Sequence, residues 1–165
     1  MQKLRNKDYF WKNDTLYVRT SIEILKQTVD VCVKDIIDIA DISKFALLSL
    51  DHIQNLTADD VEEMKDNFWI FAQNCMEGGN FGADPSIIKG GKEQLEWSMN
   101  YLGIHNKEDA FNKVVVKFAD TSNSGYGGHV DGINSSYKLW FETPWNSHMT
   151  VVSFRNGKVY DYCEA

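Results

Sequence analysis

The stretch HMTVVSFRNGKVYDYC, residues 148–163, decides how the last third of this chain folds. Asn156 and Gly157 both tolerate positive φ, the requirement of a two-residue type I′ hairpin turn. Their flanks, His148–Arg155 and Lys158–Cys163, are rich in the β-branched and aromatic side chains of strands. A two-residue loop pairs Arg155 with Lys158, Phe154 with Val159, Val152 with Asp161 and Thr150 with Cys163. Upstream, Ser136–Glu142 alternates Tyr137, Leu139 and Phe141 with Lys138, Trp140 and Glu142, the period of a half-buried strand. Pro144 cannot donate to a ladder, so Thr143–Ser147 makes the turn into the hairpin. Val114–Phe118 reads as the first strand of the group. The block predicts an antiparallel meander of about four strands with one face buried.

Ahead of this block the pattern changes period. Thr15–Arg19 reads as a short strand. Ser21 is then a candidate N-cap, with Glu23 in the first turn where a carboxylate suits the helix dipole. Ile22, Leu25, Val29, Cys32, Ile36 and Ile39 recur at three- and four-residue steps, predicting an amphipathic helix to about Ala40. Ile42–Ile53 predicts a second helix, with Phe45, Leu48 and His52 turned inward. Thr57 and Asp60 approximate a capping box that opens a third helix to about Asn74. Gly78, Gly79 and Gly82 close it into a loop. Lys92–Leu102 is a fourth helix stopped by Gly103, and Glu108–Asn112 adds a turn. The expected fold is a single α+β domain over residues 1–165. Its helical N-terminal two-thirds, about four helices, packs on the C-terminal antiparallel sheet.

Composition agrees with a packed globule: 43% of the residues are hydrophobic and 13% aromatic. No apolar run approaches the ~20 residues that span a bilayer. The basic N-terminus, Met1–Lys12, leads into no apolar core, so no secretory signal is expected. Cys32, Cys75 and Cys163 are odd in number and widely spaced, which fits reduced thiols and a cytoplasmic setting. The net charge of −7 is uneven: +3 over residues 1–20, −8 over 21–83 and −2 over 84–165. A direct nucleic-acid binder needs a basic footprint, which this distribution lacks.

Three local patterns resemble known chemistry. The chain order Cys75, His148, Asp161 resembles that of papain-like and transglutaminase-like cysteine enzymes, and the resemblance implies a nucleophile, a base and an orienting acid. Two physical features oppose that triad. Cys75 sits near a helix C-terminus, where the dipole raises a thiol's pKa. In the two-residue register His148 lies opposite Ala165, four residues from Asp161 on the same face, about 13 Å away. Asp120, Ser122, Ser124, Gly125 and Asp131 resemble an EF-hand loop, with Gly127 and Asp131 departing from its usual apolar residue and bidentate glutamate. Phe118 to Gly127 is similar to the first-strand signature of RNase H-like domains, matched in its metal-binding acids only at Asp120. Gly90-Gly91-Lys92 lacks the Ser/Thr and the earlier glycine of a phosphate loop. His52, His105, His129 and His148 show no zinc spacing. No metal or cofactor is expected.

The remaining signal is acidic. Asp59, Asp60, Glu62, Glu63 and Asp66 crowd the first turns of the third helix. Acids there suit the dipole and solubility, and they equally make a patch that docks a basic protein partner. Tyr9, Phe10, Trp11 and Trp145 are aromatics that either anchor an interface or cover the edge of the core. The functional expectation is a small cytoplasmic binding protein rather than an enzyme. It would act as an inhibitor: a toxin-neutralising immunity protein or a phage-encoded inhibitor of a nucleic-acid-handling enzyme. The alternative is a cysteine-dependent hydrolase or acyltransferase using Cys75, His148 and Asp161.

Overall fold

A computed structural model describes residues 8–33, 44–88, 90–121 and 132–165. The strands are β1 (Tyr9–Lys12), β2 (Thr15–Ile22), β3 (Gln27–Val33), β4 (Val115–Thr121), β5 (Ser136–Thr143), β6 (Asn146–Arg155) and β7 (Lys158–Glu164). Between β3 and β4 come α1 (Lys44–Gln54), α2 (Ala58–Gly78), α3 (Gly91–Leu102) and α4 (Lys107–Asn112). The strands form one seven-stranded sheet in chain order. Every neighbouring pair is antiparallel except β3 and β4, which run parallel with Val31 beside Ala119.

This corrects the expected layout. The sheet is larger than a four-stranded C-terminal meander, and the helices do not make up the N-terminal two-thirds. The helix expected from Ile22 towards Ala40 is instead the end of β2, a 3₁₀ turn at Glu23–Leu25, and β3. Gln27–Val33 buries Val29, Val31 and Val33 at every second residue, and β-branched side chains favour that pleat. Lys26 adopts φ 53°, a left-handed conformation that stops a helix there. Residues 34–40, the rest of that expectation, lie outside the described residues. At the other end of β2, Asn13 and Asp14 both take positive φ (49° and 59°), the two-residue turn that also serves at Asn156 and Gly157 (50° and 75°).

The core lies between the helices and one sheet face. β2 contributes Leu16, Val18 and Ile22, β5 Tyr137, Leu139 and Phe141, and α2 Met64, Phe68, Ala72 and Met76. Trp145 belongs to this core. α1 buries Ala46, Ser49, Leu50 and Ile53, so its inward stripe is offset from the expected Phe45 and Leu48. The His52 Nδ1 lies 2.7 Å from Ser135 Oγ. On the opposite sheet face Phe118 stacks on Trp140 (4.8 Å) and Phe10 on Tyr17 (5.5 Å), with Arg19 bonded to Asp30 at 2.8 Å. No helix among the described residues is long and apolar enough to cross a membrane.

Tyr137 carries a local conflict. It is fully buried and stacked on Phe154 at 4.4 Å, yet its hydroxyl has no hydrogen-bond partner among the described residues. Burial, reinforced by the Asp60 carboxylate, holds its phenol well above the ordinary range. Tyr137→Phe should therefore raise stability at neutral pH by about 1 kcal/mol. The unfolded phenol ionises near pH 10 while the folded one keeps its proton. The stability of the chain is thus untouched by this ionisation below that pH and falls above it, at up to about 1.4 kcal/mol per pH unit. Urea titrations at pH 7 and pH 11 check both parts, since the variant should lose stability less steeply in alkali.

Candidate functional site

The acidic cluster sits on α2, and helical geometry divides it. Asp60 starts the buried stripe that continues every four residues through Met64, Phe68, Ala72 and Met76. Only 3% exposed, it accepts a hydrogen bond from the Thr57 hydroxyl, while the Thr57 oxygen accepts from the Asp60 backbone N–H at 3.2 Å. Asp60 is thus part of the helix cap and not of an outward patch. Thr57→Ala should cost about 1–2 kcal/mol, by loss of the cap and of a donor to a buried carboxylate. Thr57→Ser should restore most of it, as measured by thermal or urea unfolding.

Asp59 lies three and four residues before Glu62 and Glu63, Asp66 three and four residues after Glu63 and Glu62, and all four are exposed. α4 packs alongside and adds cations. Lys65 bridges Glu62 (3.1 Å) and Glu108 (2.9 Å), and Lys107 bridges Asp66 (2.9 Å) and Glu62 (3.6 Å). Lys65, 17% exposed, also lies 5.8 Å from the Phe111 ring. These contacts hold the Glu62 carboxyl below its usual range, chiefly through Lys65. They raise both lysines, Lys65 chiefly through Glu108 and Lys107 chiefly through Asp66. Asp59 and Glu63 take no part in these ion pairs. Among the described residues five exposed carboxylates, counting Glu108, face two lysines, which leaves a surplus of three negative charges on an ordered ridge.

The alternative triad does not assemble. The hairpin turn is the expected one, and Arg155 pairs with Lys158. A bulge then inserts Tyr160, whose ring lies under the Arg155 guanidinium at 4.0 Å. Past the bulge Val152 pairs with Tyr162 and Ser153 with Asp161, and Met149 rather than His148 meets Ala165. The extra residue moves Asp161 to the sheet face away from the helices, opposite in parity to His148. Cys75 sits four residues before Gly79, whose N–H caps its carbonyl at 2.7 Å. Burial, then the Glu164 carboxylate, pushes its thiol up, the reverse of what a nucleophile needs.

Asp120 lies in β4, 4% exposed, and accepts the Trp140 indole N–H at 3.1 Å. Residues 122–131, which carry the rest of the EF-hand-like and RNase H-like patterns and His129, lie outside the described residues. Among the described residues no three His, Cys, Asp or Glu side chains gather as metal ligands.

The sequence reading missed a groove on the flank of α2, where that helix overhangs β7. It is lined from the helix by Asn67, Ile70, Phe71 and Asn74 and from the sheet by Thr150 and Tyr162. Burial, then the Glu63 carboxylate, holds the Tyr162 phenol above its ordinary range. Ile70 of α2, 59% exposed, stands at the groove's rim. Compared with known protein families, with curated proteins and with solved structures, the chain gives no match.

Proposed function

We propose that this protein works by binding a basic macromolecular partner, as an inhibitor, with the α2–α4 ridge as its docking face. The observation that carries the reading is the surplus of three carboxylates on one ordered surface, with Asp59 and Glu63 outside any ion pair among the described residues. Exposed ion pairs contribute little to stability, so the Lys65 and Lys107 bridges matter mainly by fixing where Glu62, Asp66 and Glu108 point. A fixed field of one sign speeds encounter with a partner of the other sign and rejects like-charged surfaces. The partner this surface suits is a toxin or a nucleic-acid-handling enzyme, whose basic active-site groove the ridge occupies in place of phosphates. The setting proposed is the cytoplasm.

The test is affinity capture from an extract of the source cells, with the intact protein as bait and elution by rising salt. A stoichiometric basic protein released by salt, and inhibited by the purified chain, supports the reading. A partner that is acidic, or one that resists salt, overturns it.

A further inference from the structure

The groove beside α2 encloses about 250 Å³ and reaches the free edge of the sheet. Tyr162, which faces the helices, and Cys163, which faces away from them, both line it, so the opening wraps around β7. Among the described residues β7 pairs only with β6. Met149 and Ala165 exchange both backbone hydrogen bonds, at 2.9 Å each. In an antiparallel ladder bonded and non-bonded pairs alternate, which makes Cys163, opposite Val151, the next bonded residue. Tyr162 and Glu164 therefore turn their N–H and C=O groups outward, into the groove. Thr150, which also lines it, keeps a buried hydroxyl without a partner among the described residues. The helix side offers Phe71 and the 59%-exposed Ile70.

Charge selects the occupant. Glu164 lines the groove, Glu63 stands close enough to act on Tyr162, and among the described residues no lysine or arginine lines it. We propose that the groove takes a short extended peptide segment of the basic partner, added to β7 as an eighth strand. One apolar side chain fills the space between Ile70 and Tyr162, and a lysine or arginine two residues along the peptide, on the same face, meets Glu164. Strand addition draws affinity from main-chain bonds and specificity from alternate side chains. The bulge at Tyr160 interrupts regular pairing, so the docked run extends over Asp161–Glu164. The sign of the peptide's charge rests on the acidic-ridge reading; the strand addition itself does not.

The probe is acetyl-Lys-Thr-Val-Thr-Lys-Thr-amide, which carries its valine and both lysines on one face, added to the intact ¹⁵N-labelled chain, with amide hydrogen exchange read by NMR. The expected result is that exchange at Tyr162 and Glu164 slows about tenfold or more at saturating peptide, with shifts at Thr150 and Ile70. The same peptide N-methylated at alternate residues should lose this protection in one of its two registers. Equal protection by both N-methylated forms overturns strand addition and leaves the charge reading standing. Equal protection by the analogue with glutamate for lysine overturns the basic-partner reading and leaves strand addition standing. Protection that rises with protein concentration in the absence of peptide identifies a second copy of the chain as the occupant and overturns the proposal.

Discussion

Phe68→Ala is expected to lower stability by about 3–5 kcal/mol, the largest single-residue effect anticipated for this protein. Phe68 is 1% exposed at the middle of α2. Its ring meets Phe141 of β5 edge-on at 5.1 Å and 72°, and lies against Phe111 of α4 at 5.9 Å. Three elements thus meet on one side chain, and the space it leaves cannot be refilled by any one neighbour alone. Part of the loss is apolar transfer and part is the cavity, with about 0.5–1.5 kcal/mol more for each aromatic pair. Domains of this size are stable by about 5–15 kcal/mol, so the variant should be weakened severely yet remain measurable. A urea midpoint that falls at unchanged m-value is the expected readout. Phe68→Leu preserves most of the volume and should cost well under half as much. Equal losses for the two variants would show that packing volume at this junction is not what holds α2 to the sheet.

The same junction shows which features the sequence made legible. The stripe Met64, Phe68, Ala72 and Met76 repeats every four residues, so α2 was readable from periodicity, and so was the Thr57 cap. Asp60 belonged to that stripe by the same count. Reading the five acids as one patch overlooked that position 60 lies off the face shared by 59, 62, 63 and 66. The turn at Asn156-Gly157 was legible because two adjacent residues carry the whole signal. The Tyr160 bulge was not, since an extra residue leaves composition unchanged while reversing which face Asp161 occupies. In the first third, Ile22, Leu25, Val29 and Cys32 fit a helical period by coincidence, whereas Val29, Val31 and Val33 fit a strand. Local spacing alone could not choose between them. The parallel pairing of β3 with β4 chose, and it joins residues almost ninety positions apart. Gln27 seals that joint, its side chain accepting from Val116 N–H at 2.8 Å and donating to the Val114 carbonyl at 3.4 Å. A glutamine in that role has no signature in the linear chain. The groove beside β7 was hidden for the same reason, because only the bulged register sets the outward groups of Tyr162 and Glu164 beside Ile70.

Reversal of the two ridge charges outside the lysine bridges, Asp59→Lys with Glu63→Lys, should slow association with the basic partner about tenfold to a hundredfold at low salt. Both side chains are exposed and outside the Lys65 and Lys107 bridges, so the change leaves the network intact. The cost to folding is confined to the helix dipole at Asp59, about 0.3–1 kcal/mol. Glu62 is the wrong choice for this purpose, because both lysines lean on it and its reversal would disorder the ridge as well as recharge it. The two substitutions move the surface by four charges, which turns the surplus of three negatives into a net positive charge. The loss should appear in the association rate, since exposed charges steer encounter more than they hold the complex. It should also shrink towards unity as salt rises and the screening length falls from about 10 Å at 0.1 M to about 3 Å at 1 M. Glu93→Lys with Glu96→Lys on α3 makes the same change in net charge away from the ridge. If that control slows association as much as the ridge pair does, total charge rather than the α2–α4 surface governs binding, and the ridge is not the docking face.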